Sequence, residues 1–205
     1  MANTNKPTGF SPVKYLNGAN WTGQVNVYYI AAADTNAYYI GDPVALTGTG
    51  DSRGFPGITI ATANAAMLGV VVAIGTNPGV GPYINPNDPT KTFRPSGAQS
   101  VGYYAAIADD PNIILEAQEG GAGPVLTATS VTKNVNLLAA SPPTGVLVSA
   151  YTFNDATVAT TSTFNFQLLG LVQRYDNGAL NTYGANAKWL LRMNNHHFKA
   201  GTTGV

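Results

Sequence analysis

Two pairs of adjacent side chains hold most of the chemistry this sequence could offer. Asp109-Asp110 is the one adjacent acidic pair, and it raises calcium binding and acid catalysis. Calcium takes about six to eight oxygens from spaced ligands, and two neighbours do not supply them. A glycosidase pair must face itself across a substrate, whereas neighbours on an extended backbone point to opposite sides. The pair reads as solvated residues capping the turn at Pro111. His196-His197 is the histidine cluster, and its spacing suits neither a helical i,i+4 metal pair nor an ordered triad. With two histidines and no cysteine in the chain, zinc and nucleophilic chemistry are poorly supplied. The sequence therefore nominates no catalytic, cofactor-binding or metal-ligating residue and points away from an enzyme.

Two further features lead to the same place. The glycine-rich loop Gly48 to Gly57 lacks the GxxxxGK[ST] spacing and the strand-loop-helix frame of a phosphate site. The eleven tyrosines, with pairs at Tyr28-Tyr29, Tyr38-Tyr39 and Tyr103-Tyr104, could stack sugars or bases. Paired tyrosines on strands more often give one core residue and one exposed or interface residue.

Composition narrows the class. Of 205 residues, 44% are hydrophobic and 10% charged, with ten basic against ten acidic side chains. That balance gives no electrostatic drive towards nucleic acid. The apolar run Ala65 to Ile74 is about half the ~20 residues of a membrane helix, and MANTNKPTGF is no secretory leader. The expectation is a soluble protein made in the cytoplasm, without nucleic-acid or membrane partners. Glycine (23) and proline (13) are spread between Val, Thr, Tyr and Ala, the texture of short strands and turns.

The elements that would carry these residues can be read in order. Residues 1–24 form an extended N-terminal arm whose Phe10, Tyr15 and Trp21 are expected to lie on a neighbouring subunit. Residues 25–198 form a single all-β domain, and 199–205 a flexible tail. Within the domain, Gln24 to Ile30 alternates as a strand, and Met67 to Gly75 is a buried central strand. Thr76 to Ser96, with its repeated prolines, is a projecting loop of about 20 residues, a length that usually means binding. Val101 to Gly121 reads as two strands joined at Asp109 to Asn112, a hairpin around which the rest is organised. Strands are expected at Val146 to Phe153, Thr161 to Arg174 and Ala187 to Asn194, with a turn at Asp176-Asn177-Gly178. Roughly ten short strands make an all-β sandwich or barrel, jelly-roll-like by first preference and SH3-like or OB-like by second.

Several phrases taken together resemble a known family. They are NKPTGFSPVKYLNGANWTGQVNVYYI, the GDPV at Gly41 to Val44, MLGVVVAIG at Met67 to Gly75, ADDPNIILEAQ at Ala108 to Gln118, and Leu168 to Phe198. The resemblance is to tailed-bacteriophage head proteins of the capsid cement or decoration type. It implies a β-rich homodimer or homotrimer on the outer capsid surface of the virion, bound to the major capsid protein and bridging neighbouring capsomers. The contact candidates on that reading are Phe10, Tyr15, Trp21, Tyr83, Phe93 and Trp189. A tail or receptor-binding β-structured virion protein and a carbohydrate-binding module are the alternatives.

Overall fold

The computed structural model describes residues 3–76, 93–121, 123–176 and 179–204. Their strands, in chain order, are β1 (Ser11–Tyr15), β2 (Asn26–Ile30), β3 (Tyr38–Tyr39), β4 (Pro43–Gly50), β5 (Pro56–Ile60), β6 (Gly69–Gly75), β7 (Phe93–Arg94) and β8 (Tyr103–Ala108). They continue with β9 (Ile113–Gln118), β10 (Asn134–Leu138), β11 (Thr152–Ala159), β12 (Phe166–Leu171), β13 (Tyr175–Asp176), β14 (Ala179–Leu180) and β15 (Lys188–Met193). The one helical element among them is a 3-10 turn at Ala128–Ser130. The chain is all-β, as its texture predicts.

Eleven of the strands form two systems, and β3–β7 and β13–β14 are separate two-stranded pairs. β2, β5, β4, β6 and β8 close into a barrel, with β2 and β5 parallel and the other pairs antiparallel. The barrel interior holds Ile30, Val44, Ile58, Leu68, Val71, Ile74 and Ile107 with Tyr28, Tyr38 and Tyr103. Six further strands form a sheet in the order β1-β9-β15-β12-β10-β11. That sheet curls: Glu119 at the end of β9 bridges to Phe153 of the far edge strand, and Gly120 N–H donates to Phe153 O at 2.9 Å. Inside the curl lie Phe10, Phe153, Phe166 and Trp189 with Leu115, Leu137, Leu168, Leu191 and Met193.

The sequence explains the best-defined strands directly. In β15, Trp189, Leu191 and Met193 are buried while Lys188, Leu190 and Arg192 are only half so, the alternation of a strand with one core face. In β6, a run of β-branched residues between β4 and β8 is covered on both faces by the barrel interior and by the curled sheet. Gly69 is needed there because a Cβ would lie 2.3 Å from Ala108 O across the β6–β8 pair.

The expected hairpin at Val101 to Gly121 is corrected. Both strands exist, but β8 pairs with β2 and β6 in the barrel, and β9 with β1 and β15 in the sheet. The turn at Asp109 to Asn112 is the corner by which the chain leaves one system for the other. All six residues of β8 and five of the six in β9 are buried. Strands covered on both faces by different partners have no use for each other.

Other expectations change at the termini and in one loop. The N-terminal arm lies on its own chain, with β1 paired to β9. The tail is tied down: Asn134 Nδ2 donates to Thr202 O at 2.8 Å, and Gly204 N–H to Thr160 O at 3.1 Å. The strand expected at Val146 starts at Thr152, because Val146, Leu147 and Val148 sit in an exposed turn opened by a Val146 N–H bond to Pro143 O. Most of the proline loop and Asn177-Gly178 lie outside the described residues, although β13 and β14 pair on either side of the latter.

Candidate functional site

The N-terminal segment is held by backbone contacts that its sequence makes possible. Gln118, on β9, clamps it from below: its Oε1 accepts Lys6 N–H at 2.8 Å, and its Nε2 donates to Asn5 Oδ1 at 2.8 Å. Gly9 then crosses both the β3–β4 turn and the segment before β11. Its φ is +72°, and a Cβ there would lie 2.5 Å from Gly41 O and from Ser149 Cβ. Only glycine allows that approach. Phe10 N–H donates to Gly41 O at 2.9 Å, and the Phe10 ring stacks on Phe166 at 4.4 Å.

These contacts sort the contact candidates. Phe10 (1% exposed) and Trp189 (0%) are core residues of the curled sheet, which corrects their nomination. Trp189 lies on a strand flanked by β9 and β12, so its large side chain fills the core, and its Nε1 donates to Glu119 Oε2 at 3.3 Å. Tyr15 and Trp21 are half-buried against the same core, and both reach Gln24, Tyr15 Oη at Gln24 Oε1 (3.0 Å) and Trp21 Nε1 at Gln24 O (3.2 Å). Burial first, then the charges of Asp110 and Asp109, push the Tyr15 phenol up. Phe93 is half-buried and stacks flat on Tyr39 at 5.7 Å. Tyr83 lies outside the described residues.

What the structure brings together instead is a groove of about 560 Å³ between the segment Asn5–Thr8 and the stretch leading from β10 to β11. Gln118, Gly120, Leu138 and Thr152 form its floor, and Pro142, Pro143, Val146 and Val148 its apolar wall. The wall continues onto open surface through Val146, Leu147 and Val148, each about 40% exposed. Three consecutive aliphatic side chains left in water beside an apolar groove are the kind of surface that marks interaction.

Four buried charged residues escaped the sequence reading. Arg94 is fully buried, with Tyr38 and Tyr103 beneath its guanidinium at 5.8 and 5.6 Å. It donates to Asn36 O at 2.5 Å, to Pro95 O at 3.2 Å, to Ala31 O at 3.3 Å and also to Asp34 O. It is a staple that holds the loop between β2 and β3 against the barrel. Glu119 and Asp155 are each 1% exposed and sit where the sheet curls shut. Asp155 Oδ2 accepts Gly123 N–H at 2.9 Å, and its Oδ1 has no partner. Burial, then the Asp155 charge, push the Glu119 carboxyl up to about 7, and the Trp189 N–H offsets part of that. Asp42, at the head of β4, is also 1% exposed, and burial pushes it up to about 6. For Asp42 and Glu119 the available signal was an acidic residue beside a strand end, but such residues are ordinarily solvated turn formers.

The pairs that the sequence singled out act structurally. Asp109 accepts from Asn26 Nδ2 at 3.0 Å and from Tyr28 Oη at 2.5 Å, and Asp110 Oδ1 accepts Asn112 N–H at 2.7 Å. His196 Nδ1 accepts Phe198 N–H at 3.0 Å, which leaves Nε2 to donate to Leu68 O at 2.5 Å. Burial holds its pKa below the ordinary histidine value. His197 Nε2 accepts Leu46 N–H at 3.1 Å. Both histidines thus lace the C-terminal segment to the barrel. Among the described residues no group of three or more His, Cys, Asp or Glu could hold a metal. Comparison with protein-family models, with curated proteins and with solved structures gave no match to this chain.

Proposed function

We propose that this chain is a bacteriophage capsid cement or decoration protein that binds the outer surface of the assembled major-capsid lattice and bridges neighbouring capsomers. The observation that carries the reading is the groove beside Asn5–Thr8, with its apolar wall running out into exposed Val146, Leu147 and Val148. The family resemblance in the sequence supplies the partner. A surface with 10% charged residues in the chain suits a contact whose centre must be desolvated, since interface cores are poor in Lys, Glu and Asp. A protein that binds only the assembled shell stabilises it by mass action, and many copies engaged together add avidity. Self-association as a homodimer or homotrimer belongs to the same proposal.

The test is co-sedimentation with expanded shells lacking the protein, with tails and unrelated capsids as controls. Saturable binding at a whole number of copies per capsomer, lost when Val146, Leu147 and Val148 are all replaced by serine, is the expected result. Binding to tails or to host glycans but not to shells would overturn the proposal and favour the receptor-binding alternative.

A further inference from the structure

On the outer face of the barrel, the neighbouring strands β2, β5 and β4 bring Tyr29, Gly57 and the pair Thr47 and Thr49 around a slot of about 460 Å³. Tyr28 belongs to the barrel interior, so Tyr29, next to it on the strand, stands on the outer face. Its ring is braced on the β8 side, where it packs on Tyr104 at 5.6 Å and where a Cβ on Gly102 would lie 2.3 Å from its Cε2. On the β5 side its register partner is Gly57, which has no side chain to cover the ring. The half-buried ring therefore forms one wall of the slot. Thr47 and Thr49 lean over Gly57 from β4, their Oγ1 atoms 2.6 and 3.2 Å from where a Gly57 Cβ would be. Both threonines are exposed, and their hydroxyls hydrogen-bond each other at 2.9 Å. That contact uses one of their two protons, so the pair keeps a donor and acceptor capacity for a ligand. Asp34 is the charged residue of the lining, and its carboxylate is engaged by Asn36 N–H at 2.7 Å and by Tyr38 Oη at 2.5 Å.

A fixed aromatic face beside two open hydroxyls suits a neutral ligand that has an apolar face and a polar rim. A pyranose ring has both, with C–H bonds on its face and hydroxyls around its edge. The volume lies within the ~300–1,000 Å³ of small-molecule sites. Nucleic acid also stacks on aromatic rings, but it would bring phosphates towards Asp34 with no Lys or Arg among the lining residues to offset them. We propose that this slot binds a neutral hexopyranose, its C–H face laid on Tyr29 and its hydroxyls exchanging hydrogen bonds with Thr47 and Thr49. Because the ring is braced before the ligand arrives, little ordering cost is left for binding to meet. A free sugar and the terminal ring of a glycan share this chemistry. The slot has no lining residue in common with the groove beside Asn5–Thr8, so its failure would leave the capsid reading standing.

Titration of the isotope-labelled whole chain with methyl β-D-glucopyranoside and with methyl β-D-galactopyranoside, followed through backbone amide shifts, tests the proposal. Saturable shifts at millimolar concentration are expected for at least one of the two, centred on Tyr29, Thr47, Thr49 and Gly57. D-Glucitol, which has the hydroxyls but no ring face, should give none. Tyr29→Ala should weaken binding about tenfold, as loss of an aromatic stacking partner does. Should that variant fail to fold, Thr47→Val with Thr49→Val keeps two exposed β-branched residues on β4 and removes both hydroxyls, and should weaken binding about fivefold. Cellobiose and lactose, which carry a second sugar where the glycosides carry methyl, separate the sources. Binding as tight as that of the glycosides assigns the slot to the end of a glycan, and loss of binding assigns it to a free sugar. No saturation by either glycoside at tens of millimolar, equal shifts with glucitol, or indifference to both sets of substitutions would overturn the proposal. Tighter binding of adenosine monophosphate at the same amides would overturn it in favour of a nucleotide.

Discussion

The barrel and the curled sheet solve the same problem differently. The barrel closes, so every strand has two neighbours. The sheet ends in β1 and β11, and although it curls, its two ends meet through a short seam around Glu119, Gly120 and Phe153 rather than a full strand pair. Its edges and open side must be covered by other parts of the chain. The N-terminal segment, the stretch from Ala139 to Tyr151 and the C-terminal segment do that covering. The groove beside Asn5–Thr8 lies in this covering material. The seam of the sheet buries Glu119 and Asp155 and the barrel side buries Arg94 and Asp42, so both systems carry buried charge, whereas the apolar groove belongs to the covering of the sheet.

The largest expected effect tests whether the two systems are one cooperative unit. Trp189→Ala removes the biggest side chain of the sheet core and the N–H that reaches Glu119. Large-to-small aromatic changes of this kind cost about 3–5 kcal/mol. Met67, Val70 and Ala108 from the barrel side share that core, so calorimetry should show one transition, shifted down as a whole. A barrel transition left in place while a sheet transition drops would break the systems apart.

Next is the charge where the sheet curls shut. The folded-state pKa of Glu119 is raised from 4.5 to about 7, so its protonated form is favoured by folding. The stability from that proton is fully present below about pH 4.5 and is lost as pH rises through 7. Glu119→Gln keeps a neutral side chain of the same shape and should stabilise the protein above pH 7.5, by at most about 3.5 kcal/mol at ~1.4 kcal/mol per pH unit. The two proteins should converge near pH 4.5. Asp42, at the barrel rim, has the same sign over a shorter window, from its ordinary 3.8 to about 6. Denaturant midpoints measured from pH 4.5 to 8.5 would separate the two, and a Glu119→Gln curve parallel to wild type would refute the assignment.

Third is the crossing that fixes the covering segment. Gly9→Val forces a β-branched residue to φ +72° and a Cβ to 2.5 Å from Gly41 O. A cost of about 2 kcal/mol is expected. Gly18 has a similar φ of +89° but open space around it, so Gly18→Ala should cost about 1 kcal/mol. Limited proteolysis should release residues before Phe10 in the first variant only, and equal behaviour would mean that crowding at Gly9 does not hold the segment.

Which of these features can be read in the sequence follows from how local their causes are. β6 and β15 are legible because a β-branched run and a strict alternation each announce one environment. β8 and β9 are legible as strands but not in their pairing: with eleven of their twelve residues buried, neither strand has a polar face to tell which neighbour it takes. Val146, Leu147 and Val148 have strand-forming types, yet Pro142 and Pro143 ahead of them set a turn and leave them exposed. The groove depends on Gln118 meeting Asn5 and Lys6 from more than a hundred residues away, and nothing in the local pattern encodes such a meeting. Arg94 is hidden for the same reason, since its acceptors are carbonyls, which every residue has.

The smallest expected effect bears on the outer face of the sheet. Arg174 Nη1 donates to Glu116 Oε2 at 2.6 Å, and Nη2 reaches Oε1, in a two-pronged pair. Geometry alone would rank it with the strong contacts. The Arg174 side chain is 53% exposed, however, and Glu116 12%, so water competes for the guanidinium and salt screens the pair. Arg174→Gln should therefore cost only about 0.5 kcal/mol, fading further at high salt. The same charge removed from buried Arg94 would orphan several carbonyls and leave two tyrosine faces bare. A loss at Arg174 as large as that from Arg94→Met in the same denaturant series would mean that the curled sheet relies on its outer face, against the view that its strength lies in the aromatic interior.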